Sequence, residues 1–206
     1  TAVLVNTCGF VEQAKSDSIQ TILQTADLKS DGVVKAVVAI GCMAERYGKE
    51  LATEIPDADA VLGFDSYEDI GESLARIVGG AKIDSHEPVD RRLSTPKAPA
   101  ERNGNSSTSG DVIRLRLDSK TYAPLKIANG CDRRCTFCAI PAFRGSFVSR
   151  RPTDIIAEAV WLSERGVREL FLVSENTTSY GKDLGDMNLL EALLPALSSI
   201  EKIERI

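Results

Sequence analysis

The chain has 206 residues, 43% of them apolar and 27% charged, with a formal net charge of −5 at neutral pH. That apolar content supports one or two packed domains and excludes a disordered polymer as the whole. No apolar run is long enough to span a membrane, nothing resembles a targeting segment, and the acidity argues against a surface that tracks a nucleic-acid backbone.

In chain order, residues 2–5 read as a buried strand, followed by a helix over 11–28 with Ile19, Ile22, Leu23 and Ala26 along one side. Residues 33–40 form a second apolar strand, a short helix starts near Ala44, and 59–62 give a third strand. A helix over 67–78 ends at Gly79-Gly80. Strands alternating with helices predict a parallel sheet flanked by helices, so 1–78 is the first domain of an α/β chain. Residues 79–110 change in kind: Pro88, Pro96, Pro99 and the polar run 103–110 carry no apolar period and read as a linker. His86, the only histidine, falls in it and is expected to be solvated.

The second domain spans 111–206. Residues 112–117 alternate as an exposed strand that pairs in a hairpin with 124–127. Thr153 is placed to cap a helix over 154–165 that Gly166 ends. A buried strand follows over 167–173. Asn188 then caps a last helix that Pro195 kinks or shortens, and 204–206 enter another strand.

Cys131, Cys135 and Cys138 form a CxxxCxxC run on one short segment. Three thiolates so placed can hold three corners of an iron–sulfur cubane and leave the fourth iron open to a ligand. A structural zinc site needs four ligands, and a ferredoxin uses a different spacing. Five cysteines are an odd count, which argues against a disulfide framework. Cys8 and Cys42 each follow an apolar strand, and ligand groups collect beyond the carboxyl ends of strands in open α/β sheets. They could meet in space there, or they are small apolar core residues; position alone favours the second reading.

The triad, with Phe137 before its last cysteine, resembles the signature of radical S-adenosylmethionine (SAM) enzymes. Residues 135–150 carry every fixed position of a CxFCxIPxxRGxxxSR pattern and closely resemble the radical SAM methylthiotransferases. Asn6-Thr7-Cys8 and Gly41-Cys42 are similar to two cysteine contexts of that family's amino-terminal, second-cluster domain. The resemblance implies an amino-terminal parallel-sheet methylthiotransferase domain (1–78), a linker (79–110) and the first part of a radical SAM partial (β/α) barrel (111–206). The family's first cysteine lies upstream of the strand in which this chain begins, so an internal fragment is expected, inactive by itself.

What the resemblance implies for the site follows residue by residue. Cys131, Cys135 and Cys138 would ligate the cluster that cleaves SAM, and Cys8 and Cys42 would ligate a second one, giving two 4Fe-4S clusters in the full enzyme. Phe137 would pack near the adenine. Ser174, Glu175 and Asn176 lie where the superfamily contacts the SAM amino group; without the family context, plain loop capping explains them as well. Arg144 and Arg150 match the motif and become candidates for the substrate, since arginines beside such a loop can hold a carboxylate bidentately. Arg133 and Arg134 are expected to face outward. An electron donor such as a flavodoxin or ferredoxin, a cytoplasmic location and no membrane partner are implied as well.

Two branches of the family differ in substrate. Residues 6–18 and 144–150 resemble the branch that adds a methylthio group to an aspartate β-carbon in the twelfth protein of the small ribosomal subunit, which makes that protein, or the ribosome, the expected partner. The other branch modifies an adenosine in transfer RNA and tends to an arginine where this chain has Val11 or Glu12. A non-catalytic iron–sulfur or zinc scaffold is the alternative from another class.

Overall fold

A computed structural model describes residues 1–67, 69–92, 116 and 118–206. The chain divides into two compact units, Thr1–Asp90 and Arg91–Ile206.

The first unit is a three-stranded parallel sheet in the order β1 (Ala2–Thr7), β2 (Ala36–Gly41), β3 (Ala60–Val61). Along β2 the side chains alternate. Val37 and Ala39 face a core with Val5, Ile22, Met43 and Leu51, while Ala36 and Val38 face a second core with Leu62 and Ile77. Both faces are covered, which is why β2 is apolar without interruption. Val37 and Val38 are each fully buried, worth about 1.5–3 kcal/mol apiece in area removed from water.

Helices α1 (Glu12–Ser30) and α2 (Cys42–Glu54) belong to the first core, and α3 (Ile70–Val78) covers the second. The stripe on α1 is narrower than expected: Ile22 is fully buried, but Leu23 is exposed. The helix read as short near Ala44 starts at Cys42 itself, and α2 is broken at Gly48, whose φ of +32° and ψ of −103° are not helical. Gly41 permits that abrupt start, with φ of +96° and no room for a Cβ, which would lie 2.6 Å from the carbonyl oxygen of Thr7.

In the second unit β4 (Tyr122–Lys126) pairs in parallel with β7 (Glu169–Val173), and β5 (Ala128–Asn129) pairs antiparallel with β6 (Val148–Ser149). Between them lie α4 (Ile140–Arg144) and α5 (Pro152–Glu164), and α6 (Leu189–Ser198) follows β7. Leu125, Ile127, Ile155, Ala159, Leu162, Val167, Leu170 and Leu197 form one core. The chain end adds a parallel bridge, Glu169 to Arg205.

Several local expectations need correction. Thr153 does not cap α5: the helix begins at Pro152 with Arg151 as the extended N-cap and no side-chain cap bond. Proline at the first helical position is preorganised for the turn and moves the start ahead of Thr153. Asn188 occupies the N-cap of α6 without a side-chain bond, and the helix continues past Pro195 to Ser198. The strand expected over 112–117 lies outside the described residues except at Arg116. His86 is not solvated: its side chain is 9% exposed and packed against Glu45.

Candidate functional site

The three-cysteine loop is held at its neck by backbone bonds. Asn129 pairs with Val148, Cys131 N donates to Gly145 O at 3.1 Å, and Phe147 N donates to the Asp132 carboxylate at 2.9 Å. Gly130 makes the neck possible: its φ is +73°, and a Cβ there would run into the carbonyl oxygen of Ser146. Inside the loop, Cys138 N donates to Cys135 O at 3.1 Å and closes a turn between the last two cysteines. None of the five cysteines is in a disulfide; Cys131 is buried, Cys138 half-buried and Cys135 exposed. Among the described residues no three cysteine, histidine or acidic side chains converge on one point. The donor set fits an iron–sulfur cluster chemically, as three reduced thiols on one short loop, with Cys135 having to turn inward to join it. Phe137 is 86% exposed on the same loop.

Beside the loop neck lies a polar group built from four elements. Glu175, just beyond β7, faces Lys126 at the end of β4 (3.4 Å) and Arg144 at the end of α4 (3.7 Å). Lys126 also donates to the side chain of Asn129 at 2.7 Å. Ser174 Oγ accepts from Asn176 N, and Asn176 binds Ser179 and Thr178 through its amide. Arg133, exposed as expected, reaches from the cysteine loop to Thr178 Oγ1 at 3.4 Å. The fold thus brings Glu175, Asn176 and Arg144 to the cysteine loop from sequence positions far apart.

Arg150 stands elsewhere. It is 4% exposed, and its Nη1 donates to Glu158 at 2.6 Å and to the carbonyl of Lys126 at 2.7 Å. A guanidinium enclosed in this way joins α5 to β4 and presents nothing to a substrate, contrary to expectation. The buried Tyr180 hydroxyl donates to Arg150 O at 2.9 Å, and burial pushes its pKa up to about 12, opposed by the Arg150 charge and reinforced by Asp183 and Asp154. Sequence reading missed Lys126, Glu158 and Asp183. Lys126 interrupts an apolar strand run, and Glu158 sits among Ile155, Ala159 and Leu162 on the buried side of α5, so both had a visible signal. Asp183, which takes both Ser149 N and Ser149 Oγ, had none.

In the first unit, Thr7 and Gly41 are the last register pair of β1 and β2, so Cys8 and Cys42 leave adjacent strands side by side. Gly9 passes over Cys42, where a Cβ would come 2.6 Å from the Cys42 carbonyl oxygen. Thr7 Oγ1 bridges the two turns, donating to Ile40 O at 2.6 Å and accepting from Ala44 N at 3.3 Å. Ser18 Oγ accepts from Cys8 N, Arg46 donates to Gly9 O, and the Tyr67 hydroxyl accepts from Gly41 N.

The thiol triad follows β5, polar groups gather beyond the parallel strands β4 and β7, and residues 125–205 match the radical SAM superfamily. Residues 1–63 match an uncharacterized protein family, UPF0004. The chain is similar to the radical SAM superfamily within its second unit and to UPF0004 within its first. It is similar to proteins named ribosomal protein uS12 methylthiotransferase RimO. That of Kineococcus radiotolerans is 61% identical over 98% of this chain and 45% of its own length. Those of a Nocardioides species and Streptomyces coelicolor are 57% and 53% identical over similar shares. The chain therefore spans under half the length of these relatives. The radical SAM match implies SAM and iron–sulfur chemistry. No helix among the described residues is long and apolar enough to cross a membrane.

Proposed function

We propose that this chain contributes the cluster-binding parts of a methylthiotransferase that adds a methylthio group to the β-carbon of an aspartate in ribosomal protein uS12. The observation that carries the reading is the closed Cys131–Cys135–Cys138 loop set against Glu175 in a chain 61% identical to a uS12 methylthiotransferase. Cys131, Cys135 and Cys138 hold one 4Fe-4S cluster, and Cys8 and Cys42 contribute to a second. When bound, the first cluster supplies the electron for reductive cleavage of SAM, and the second carries the sulfur.

The chain's own residues bind and orient. Glu175 offers a carboxylate to the SAM ammonium, and Lys126 and Arg144 fix its rotamer by charge-assisted contacts from either side. Ser174 and Asn176 frame the same strand end through their turn. Phe137 covers the adenine, and Arg144, which already faces Glu175 at 3.7 Å, is the arginine placed beside this strand end for a substrate carboxylate. Holding SAM and the target carbon in register is the protein's contribution to rate. The substrate is a ribosomal protein, the electron donor is a flavodoxin or ferredoxin, and the setting is the cytoplasm.

Anaerobic iron–sulfur reconstitution followed by electron paramagnetic resonance with and without SAM tests this reading. A cluster signal that shifts with SAM and is lost in Cys135→Ala is expected. Iron bound with full occupancy and a spectrum indifferent to SAM would identify a saturated scaffold instead. Methylthiolation of transfer RNA, and not of uS12, by the full-length enzyme would move the chain to the other branch.

A further inference from the structure

We infer that His86 is a positioning residue for the turn that carries Cys42, acting through the buried carboxylate of Glu45. The inference rests on the proposed ligand role of Cys42 for its consequence, though not for its geometry. Cys42 is the first residue of α2, and Glu45 follows one turn later, 1% exposed. The carboxylate of Glu45 accepts from Phe64 N at 2.6 Å, which ties α2 to the segment leaving β3. His86 Nε2 lies 3.2 Å from the carbonyl oxygen of Glu45 and 3.4 Å from its Oε2. In the tautomer protonated at Nε2, one N–H therefore serves both oxygens of the same residue.

The segment bearing His86 is seated in a slot shaped for it. Its backbone N–H donates to Val61 O at 2.9 Å, extending the bonding beside β3. Gly63 lacks the Cβ that would collide with the imidazole and come 2.6 Å from Glu45 Oε2. Gly48, one turn after Glu45, has φ of +32° and ψ of −103° inside α2, and a Cβ there would strike the carbonyl oxygen of His86. From the other side, Tyr67 Oη accepts from Gly41 N at 2.9 Å, directly before Cys42. The start of α2 is thus held at Gly41 by Tyr67 and at Glu45 by Phe64 and His86. Supporting groups of this kind fix a ligand's position even though they never touch the metal.

The test reads the thiol itself. In the iron-free chain, alkylation of each cysteine is followed by peptide mass spectrometry, with Cys138 in the other unit as internal reference. His86→Ala is expected to raise the Cys42 rate about fivefold, the factor corresponding to one ordinary net hydrogen bond, and to leave Cys138 unchanged. His86→Gln, whose side-chain amide can donate to the same carbonyl, is expected to stay near wild type. Unchanged Cys42 reactivity in His86→Ala would overturn the inference, as would an equal rise in both variants, which would mean lost packing only. Glu45→Gln keeps the shape and should raise Cys42 reactivity in the same direction; no change there overturns the inference even if His86→Ala does not fold. Reconstituted wild type in which iron leaves Cys8 and Cys42 unprotected would instead refute their ligand role, with the positioning result standing.

Discussion

Replacing Arg150 by methionine should destabilise the second unit without touching the proposed SAM site. The guanidinium is 4% exposed and donates at 2.6 Å to Glu158, itself 8% exposed, and at 2.7 Å to Lys126 O. Removing one member of a buried pair costs about 3–5 kcal/mol, because the remaining charge keeps its desolvation penalty and loses its partner. The sole tryptophan, Trp161, lies on α5 with Arg165 stacked 4.2 Å from its ring, so its fluorescence reports this unit. At a slope of about 2 kcal/mol per molar, a loss of about 3 kcal/mol lowers the urea midpoint by about 1.5 M. The double variant Arg150→Met/Glu158→Leu removes both charges and should recover most of that loss. A single variant with an unchanged midpoint, or a double variant no more stable than the single, would refute the scaffold role and return Arg150 to the list of substrate contacts.

Gly130→Ala forces a Cβ into Ser146 O at a positive φ; a cost of about 2–4 kcal/mol, seen by Trp161, should accompany reduced iron uptake by the Cys131 loop. Glu175→Gln should raise the SAM concentration for half-maximal spectral change about tenfold, the worth of a charge-assisted contact. Tyr180, with its pKa raised from 10 to about 12 in the folded chain, holds its proton more tightly folded than unfolded. Its contribution is complete below pH 10 and is lost as pH rises toward 12, by about 1–3 kcal/mol. Urea titrations of wild type and Tyr180→Phe across that window should converge; parallel curves would contradict the assignment.

Much of the frame was legible because it is written locally. The apolar run of β2 and the cysteine after it announce a buried strand and its end, and the spacing of Cys131, Cys135 and Cys138 announces three thiols on one short loop. What stayed hidden depends on partners far along the chain. His86 reads as a linker residue until Gly63 and Gly48 are seen to open a slot for it, 23 and 38 residues earlier. Arg150 satisfies a motif and still turns inward, because Glu158 waits on the buried side of α5. The pairing of β4 with β7 also stayed hidden, since parallel pairing across a crossover leaves no turn signal in the sequence.

That crossover has a consequence in time. Tyr122 pairs with Glu169 and Lys126 with Val173, so the cysteine loop and α5 are enclosed between two strands about 47 residues apart. Closing a loop of that size costs about 3 kcal/mol of chain entropy before any contact offsets it. During synthesis at about 5–20 residues per second, the roughly 35 residues from Cys138 to Val173 take about 2–7 s to emerge. Throughout that interval a nascent chain carries its three thiols with no β7 to close the sheet beside them.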